Sequence, residues 1–273
     1  RLYGFGIKIL VASLIDEIIN ETRALFIGKI YSKEILAYQN KGKSFPSLLA
    51  KSINGTTQSI MFPVLSRKND NIIDLKNTLR TAIRYSSYIF FPAMLGLFVI
   101  SKPMIYIFLT EKWEKSILIL QMYCIMYMIL PLTTLCQQGY LSKGKSNLYL
   151  YSTVIMKILN IIFLIITLHY SIYVLILGEI ILELINFFIS IFLLKKEINY
   201  RIMEFFKDVL PSLCLSLIMA VIVYLFKFII KSNILLFVTQ VVVGCAIYFI
   251  LGLITKNESL FYILKRFNEI YKN

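Results

Sequence analysis

The feature that most constrains this chain is a succession of apolar segments, each about 20 residues long, separated by short basic connectors. A helix that crosses a bilayer needs about that many apolar residues, because the hydrocarbon core is about 30 Å thick. Hydrophobic residues make up 58% of the 273 residues and charged residues only 16%. A soluble domain of this size could not bury so much apolar surface. The sequence therefore predicts an all-α integral membrane protein and argues against a soluble domain, a disordered tail or a disulfide scaffold.

About eight segments are long enough to cross a membrane, some of them only when interior polar residues are accepted. The predicted spans cover residues 7–30, 45–65, 84–108, 117–138, 148–168, 171–194, 209–230 and 234–254. Pro92 and Pro131 fall inside the third and fourth spans, where a membrane helix tolerates a kink. Two further stretches, residues 66–83 and the C-terminal tail around residues 260–267, are amphipathic and are predicted to lie on the membrane surface.

The distribution of basic residues predicts the orientation of the chain. Lys and Arg exceed Asp and Glu by 14, and the connectors on one side hold about twice as many of them as those on the other. The positive-inside rule then places the C-terminus, and with eight spans the start of the chain, in the cytoplasm. Because the chain opens on an apolar segment at Arg1, we expect a piece of a longer protein.

Four of the predicted spans carry polar stripes, in which residues spaced by three or four share one helix face. A charge at the bilayer centre costs roughly 2.5–3.5 kcal/mol on insertion scales, so these groups must face one another or enclosed water. The stripes comprise Ser13, Asp16, Asn20 and Arg23, flanked by Glu17 and Glu21; Ser47, Lys51, Asn54 and Gln58; Thr153, Lys157 and Asn160; and Glu179, Glu183, Asn186 and Ser190.

The stripes on the first two spans predict a hydrated passage with mixed charge. The candidate substrate-binding residues are Arg23, Lys51, Asn20, Asn54, Gln58 and Ser47, and the candidate ion-coupling residues are Asp16, Glu17 and Glu21. The alternative interpretation is that the polar residues pair and join helices. For the fifth and sixth spans this alternative is equally open, with Lys157 forming a structural pair with Glu179 or Glu183.

No arrangement of residues predicts a catalytic, metal or cofactor site. Residues 139–146 match the Walker A pattern GxxxxGK[ST], but this loop binds nucleotide only between a buried strand and a helix, and here it joins two apolar spans. His169 is the single histidine, so a site with several His ligands is excluded. We expect no enzyme, no cofactor, no metal, no nucleotide and no nucleic-acid partner.

Five stretches carry a resemblance to a known family: LFIGK, LAYQNKG, MFPVLSR, EKW and QGYLSKGK, at residues 25–29, 36–42, 61–67, 111–113 and 138–145. They resemble the polysaccharide and O-antigen flippases (Wzx-type, polysaccharide biosynthesis proteins) of the MOP/MATE-like superfamily. The last stretch resembles a polar turn of that family, which independently explains the Walker-like letters. Beyond about residue 150 only the number and length of the spans still match.

The resemblance implies a MATE-like fold of two inverted six-helix lobes, typical of transporters built on internal repeats. It implies that residues 1–195 form the second lobe, that residues 196–273 add two transmembrane helices and a cytoplasmic amphipathic tail, and that an N-terminal lobe of the same protein is missing. It further implies that the first two spans line a central cavity where Arg23 and Lys51 hold a pyrophosphate. This sequence departs from the family at Arg23, which stands near a position that is often acidic.

The resemblance implies a membrane flippase that moves an undecaprenyl-pyrophosphate-linked saccharide by alternating access, with this lipid-linked substrate and the membrane lipids as its partners. Three alternatives remain. A cation-coupled MATE-type drug exporter would need a net negative cavity, against which Arg23 and Lys51 argue. A membrane polysaccharide polymerase or acyltransferase would need a large outer loop or an intramembrane His. The third alternative is a structural subunit without transport.

Overall fold

The computed structural model describes the backbone of residues 2–271, which is almost entirely helical and contains no strand in that range. The side chains of residues 1–6, 8, 9, 12, 15, 16, 19, 20, 24, 56 and 266–273 lie outside the described residues. The helices of the described range are α1 Leu2–Ile30, α2 Lys33–Arg67, α3 Ile72–Phe108, α4 Ser116–Ser142, α5 Ser146–Thr167, α6 Ile172–Ile198, α7 Ile202–Leu225, α8 Asn233–Ile254 and α9 Glu258–Tyr271.

Among the described residues, 6 helices are long and apolar enough to cross a membrane, namely α3 to α8. They confirm the predicted all-α multi-pass membrane fold. The helices α1 and α2, with 29 and 35 residues, have the length but carry the polar stripes. The prediction of eight spans therefore rests on the interior polar residues of α1 and α2, and it stays a prediction.

The helices run through every proline of the chain. All 6 prolines lie inside helices α2, α3, α4 and α7, including Pro92 and Pro131 as predicted. The helix α2 begins at Lys33, well before the predicted span at residue 45, and continues through Pro46. Its first turn is capped by Ser32, whose hydroxyl accepts a hydrogen bond from the backbone N–H of Ile35 at 3.2 Å.

The amphipathic stretch at residues 66–83 does not form the separate surface segment that its pattern predicts. The helix α3 begins at Ile72 and continues without a break to Phe108, a length of about 55 Å at 1.5 Å per residue. Leu75 and Leu79 are fully buried in the core, whereas Ile72 and Ile73 are exposed. The apolar face of this stretch is therefore covered by neighbouring helices, which a single-helix pattern cannot distinguish from a face covered by lipid.

The helix α4 lies at the centre of the bundle and packs against α2, α3 and α6. Small residues let these helices approach closely. A Cβ atom added to Gly42 of α2 would lie 2.6 Å from Ile119 of α4, and one added to Gly139 of α4 would lie 2.6 Å from Leu194 of α6. The helix α1 packs mainly against α5, at the edge of the bundle.

The helices α7 and α8 pack against α3 and against each other. A cluster of Tyr88, Met219, Tyr248 and Leu260 joins α3, α7, α8 and α9. The C-terminal tail is thus helical, with Leu260 buried at 5% exposure against the bundle. Phe267, part of the predicted amphipathic pattern, lies outside the described residues, and the surface location of the tail stays a prediction.

Candidate functional site: a buried polar network and an ion cluster

The polar stripe of α1 has one member that is partly buried. The described side chains of Ser13, Glu17 and Glu21 are exposed, whereas the side chain of Arg23 is only 16% exposed. The side chains of Asp16 and Asn20, which were predicted as site residues, lie outside the described residues. Among the described residues of the stripe, only Arg23 turns toward the neighbouring helices.

Arg23 is held by two helices that lie far away along the chain. Its guanidinium forms an ion pair with the carboxylate of Glu179 on α6, whose side chain is 6% exposed. The Nη1 atom also donates to the Oδ1 atom of Asn160 on α5 at 3.3 Å. An ion pair so far from water is stable only when both partners are present. Arg23 therefore links the edge helix α1, which already packs against α5, to both α5 and α6.

The network continues from Glu179 to the centre of the bundle. The hydroxyl of Tyr123 on α4 lies 3.4 Å from the carboxylate of Glu179 and donates toward it. The amide of Gln39 on α2 donates to that hydroxyl at 3.0 Å. We call Arg23, Gln39, Tyr123, Asn160 and Glu179 the buried network; it joins five helices.

One donor of the buried network has no partner. The Nε atom of Arg23 is buried and makes no hydrogen bond among the described residues. Leaving a buried charged donor unsatisfied is costly, so this atom favours an added acceptor such as water or an anionic oxygen. The guanidinium can therefore serve Glu179 and a second anion.

The stripe of α2 is divided between two faces of that helix. Lys51 is exposed, whereas Asn54 is 9% exposed and donates to the hydroxyl of Thr134 on α4 at 3.3 Å. The hydroxyl of Ser47 donates within its own helix to the carbonyl of Ser44 at 2.9 Å, and Gln58 is half-buried. Lys51 thus faces outward from this bundle, while Asn54 faces α4.

The acidic stripe of α6 also has defined partners. Glu179 belongs to the buried network, and one turn further the carboxylate of Glu183 accepts a hydrogen bond from Thr133 of α4 at 2.8 Å. The sequence assigned one of these acids to Lys157 of α5, and that pairing stays a prediction. Arg23 was predicted to bind substrate, and Glu179 was predicted as a possible structural partner of Lys157. In the structure Arg23 and Glu179 form an ion pair with each other.

A second group of charged residues, which involves the N-terminal part of α3, was not predicted from the sequence. Asp208 of α7, with its side chain 3% exposed, accepts from the Nε atom of Arg80 at 2.7 Å and from the Nε atom of Arg84 at 2.8 Å. Lys76 lies 2.7 Å from Glu204 of α7. Arg84 also contacts Glu258 of α9 at 2.7 Å.

Tyr200, between α6 and α7, completes this group. It is fully buried and donates its hydroxyl to Asp208 at 2.8 Å. Burial, and then the bond to Asp208, raise the pKa of Tyr200, so the hydroxyl stays protonated and remains a donor. We call the set the ion cluster; its members are Lys76, Arg80, Arg84, Tyr200, Glu204, Asp208 and Glu258. The i, i+4 spacing of Arg80 with Arg84 and of Glu204 with Asp208 was the available sequence signal.

The Walker-like residues form a turn between two helices. Residues up to Ser142 belong to α4, and α5 begins at Ser146. Gly144 has a φ angle of 74°, a conformation that glycine adopts readily and that reverses the chain here. The turn follows a helix, not a strand, as the sequence interpretation requires. Within the part of the chain that the structure describes, no group of three His, Cys, Asp or Glu side chains could hold a metal.

An apolar groove of about 480 Å³ lies between α3, α7 and α8. Pro92 and Gly96 of α3, Met219 of α7 and Gly244 of α8 line it, together with Tyr88 and Tyr248. Gln240 also lies in its wall, and the side-chain amide of Gln240 donates to the carbonyl of Val223. The groove offers a ligand little beyond apolar contact.

The sequence is similar to those of polysaccharide and lipopolysaccharide biosynthesis proteins, and the fold is similar to that of a lipid II flippase. A family model described as polysaccharide biosynthesis protein matches residues 1–118, which hold α1, α2 and α3. A Klebsiella pneumoniae protein described as an uncharacterized membrane protein in the cps region is 27% identical over 214 residues, which are 74% of this chain and 42% of that protein.

Two further proteins support the same relationship. The lipopolysaccharide biosynthesis protein WzxC of Escherichia coli K12 is 23% identical over 121 residues, which are 44% of this chain and 25% of that protein. The lipid II flippase MurJ, in an inward closed conformation, matches with a TM-score of 0.71 and 24% identity over 90% of this chain and 51% of its own.

These comparisons confirm the resemblance to Wzx-type flippases of the MOP superfamily that the sequence predicted. The chain is a multi-pass membrane protein whose fold is similar to that of the lipid II flippase MurJ. It spans about half the length of the solved structure and less than half of each curated relative. The division into a lobe at 1–195 and an addition at 196–273 stays a prediction.

Proposed function

We propose that this chain forms one lobe of a flippase that moves an undecaprenyl-pyrophosphate-linked saccharide from the cytoplasmic to the outer face of the bacterial inner membrane. The anionic, hydroxylated head group cannot enter hydrocarbon unaided, whereas the polyprenyl tail can stay in lipid. An N-terminal lobe of the same protein supplies the other wall of a hydrated cavity. Rocking of the two lobes opens that cavity to each side in turn.

The observation that carries the proposal is the state of Arg23. Its side chain is mostly buried, its guanidinium is shared between Glu179 and Asn160, and its Nε atom has no acceptor among the side chains that the structure describes. It lies within residues 1–118, the part matched by the family of polysaccharide biosynthesis proteins. A guanidinium with one free donor suits a phosphate oxygen, because charge-assisted hydrogen bonds to phosphate are short and strong.

In this proposal Arg23 exchanges partners during transport. An arriving pyrophosphate competes with Glu179 for the guanidinium, and Lys51, exposed on α2, adds a second cation. Asn20, Ser47, Asn54 and Gln58 are the polar residues proposed to contact sugar hydroxyls. Because Arg23 attaches the edge helix α1 to α5 and α6, release of Glu179 would loosen α1 when substrate is present.

Ion coupling is proposed for the acidic residues beside Arg23. Glu17 and Glu21 are exposed on α1, and with Asp16 they could take up protons or cations that drive the cycle. The test is whether transport survives Asp16→Asn together with Glu21→Gln. Loss of transport at unchanged expression supports coupling, whereas full transport by the double variant excludes these two residues from it.

The proposed orientation places both ends of the chain in the cytoplasm, following the positive-inside rule. Reporter fusions placed after Ile198 and after Ile254, the ends of α6 and α8, test it directly. Both fusions are expected to report a cytoplasmic location. A reporter signal from the outer face at either site would overturn the orientation.

The function is tested by complementation of a flippase-deficient bacterial strain with the full-length gene. Export of surface polysaccharide is the readout, and Arg23→Ala and Lys51→Ala are the variants. Lys29→Ala is the matched control, because Lys29 lies on the same helix as Arg23, is exposed and occupies the last turn of α1. We expect export to fall at least tenfold for Arg23→Ala and to be retained for Lys29→Ala.

Two outcomes would contradict this function. Equal export by all three variants would remove the cationic cavity from the mechanism and favour a structural subunit. Failure of the intact gene to complement, with export of cationic dyes instead, would favour a drug exporter. Membrane levels of each variant are compared by immunoblot, so that loss of export is separated from loss of protein.

A further inference from the structure

A pocket of about 520 Å³ lies where α6 ends and α7 begins, at the opposite end of α6 from Glu179. Lys195, Asn199 and Arg201 line its polar side. Its apolar side is formed by Ile191, Phe192, Ile202 and Met203. The pocket therefore combines two cations with an apolar wall, and it lies in a connector between two helices apolar enough to cross a membrane.

The two cations of the pocket have no carboxylate partner. Among the described residues, neither Lys195 nor Arg201 forms an ion pair within 4.0 Å, although acidic residues lie close by in sequence. Glu197 is occupied by Lys145 at 3.8 Å, and Glu204 by Lys76 at 2.7 Å. The positive charge at the pocket is therefore uncompensated.

The next acidic residue along α7, Asp208, also has basic partners. Asp208 is bound by Arg80 and Arg84, so it offers no charge to the pocket. The backbone N–H of Arg201 donates to Glu204 at 2.9 Å, which caps α7 and leaves the arginine side chain exposed. The carbonyl of Asn199 accepts from Lys76 at 2.9 Å, which fixes the backbone that carries both cations.

The apolar wall is turned outward. Phe192 and Met203 are 67% and 65% exposed, and Ile202 is 41% exposed. On a membrane helix such side chains contact acyl chains. A ligand seated here would place an anionic group on Lys195 and Arg201 and hydrocarbon along Phe192 and Met203.

We infer that this pocket binds the head group of an anionic diacyl phospholipid, whose acyl chains lie against Phe192 and Met203. Basic pockets between transmembrane helices suit lipid phosphates, and each nearby Lys or Arg strengthens attraction to anionic lipid several-fold. A soluble phosphate would use the two cations but not the apolar wall. The inference concerns a site apart from Arg23 and does not depend on the proposed flippase activity.

The test is native mass spectrometry of the full-length protein in detergent with equal amounts of phosphatidylglycerol and phosphatidylethanolamine. The variant is Lys195→Gln with Arg201→Gln, which keeps the backbone cap on Glu204. The matched control is Lys196→Gln with Lys207→Gln, which removes the same charge from two exposed residues of the same region that do not line the pocket. A charge-preserving variant, Lys195→Arg with Arg201→Lys, guards against misfolding.

The intact protein is expected to retain phosphatidylglycerol in preference to phosphatidylethanolamine. The affinity should fall roughly 30-fold in the pocket variant, which is the effect of two cations, and by less than about threefold in the control. The charge-preserving variant should bind as the intact protein does. Glycerol phosphate at the concentration of the lipid should leave the lipid bound.

Three results would overturn the inference. Equal retention of the two lipids would remove the anionic specificity. An equal loss in the pocket variant and in the control would mean that net charge attracts the lipid without a defined site. Displacement of the lipid by glycerol phosphate would make a free phosphate the ligand.

Discussion

The buried network and the ion cluster both contain arginine, carboxylate and tyrosine side chains, but they differ in how completely each charged group is paired. In the buried network one arginine faces one carboxylate, and within the described part of the chain the Nε atom of that arginine has no acceptor. In the ion cluster Asp208 receives two guanidinium groups and a tyrosine hydroxyl. Asp208 therefore accepts hydrogen bonds from three side chains, whereas Arg23 keeps one donor that no described residue accepts.

The degree of exposure also differs between the two regions. Arg23 and Glu179 are 16% and 6% exposed, whereas Arg84 is 34% and Glu258 is 80% exposed. Water can therefore replace a lost partner more readily in much of the ion cluster than in the buried network. The comparison assigns to the cluster a structural role, joining α7 and α9 to α3. The unpaired Nε atom of Arg23 among the described residues supports the proposed exchange of partners in the buried network.

The largest expected effect comes from removing the cation of the buried network. Arg23→Met leaves the Glu179 carboxylate buried without its counter-charge, and we expect the free energy of unfolding to fall by about 3 kcal/mol. Denaturant unfolding of the detergent-solubilised protein measures this change. The double variant Arg23→Met with Glu179→Gln removes both charges and should regain most of the loss. No recovery in the double variant would show that the ion pair is not the reason for the loss.

A smaller effect is expected from the centre of the ion cluster. Asp208→Asn removes the charge that two arginines share, but both arginines can reach water, so we expect a loss of about 2 kcal/mol. Hydrogen exchange should rise in the first turns of α7 and remain unchanged in α1. Increased exchange in α1 would contradict the separation of the two regions.

Within the buried network, the hydroxyl of Tyr123 is a secondary link. Tyr123→Phe keeps the ring and removes two hydrogen bonds, those with Gln39 and Glu179. We expect a loss of about 1 kcal/mol in the free energy of unfolding. Tyr127→Phe on the next turn of α4 is the control and should change stability less. A loss in the control as large as that in Tyr123→Phe would mean that the bonds of the Tyr123 hydroxyl with Gln39 and Glu179 are not the cause.

The smallest effect is expected at the exposed edge of the ion cluster. Glu258→Gln removes the contact between α9 and Arg84, and because Glu258 is 80% exposed the loss should stay below about 1 kcal/mol. Added salt should remove most of it. A loss as large as that of Asp208→Asn would show that α9 depends on this pair more than on Leu260.

Much of the fold could be predicted from the apolar pattern. A transmembrane helix satisfies its own backbone hydrogen bonds, so the residues of that segment alone indicate that it is a helix. The spans at 148–168, 171–194 and 234–254 coincide closely with α5, α6 and α8. The stretch 66–83 was wrong as a separate surface segment, because its apolar face is buried by other helices. The helical periodicity of this stretch was predicted correctly, but its apolar face is covered by neighbouring helices and not by the membrane surface.

The site divides in the same way. The sequence indicated that Arg23 and Glu179 could not face lipid, since insertion of either charge is costly. It could not indicate that they meet, because they lie on α1 and α6 and the pattern of each helix describes that helix alone. Tyr123 and Gln39 carried no signal, since a tyrosine in an apolar span usually serves packing.

Hydropathy and charge thus determined the class of protein and the need for partners inside the bilayer, because transfer of a residue into lipid is a property of that residue. The family resemblance came from the short motifs within residues 25–145. The tertiary structure determined which charges meet. An ion pair requires atoms within a few ångström, and the distance between helices depends on close approaches such as those at Gly42 and Gly139. For that reason Arg23 lies against Glu179, Asp208 lies between Arg80 and Arg84, and Lys195 and Arg201 form no ion pair with any described carboxylate.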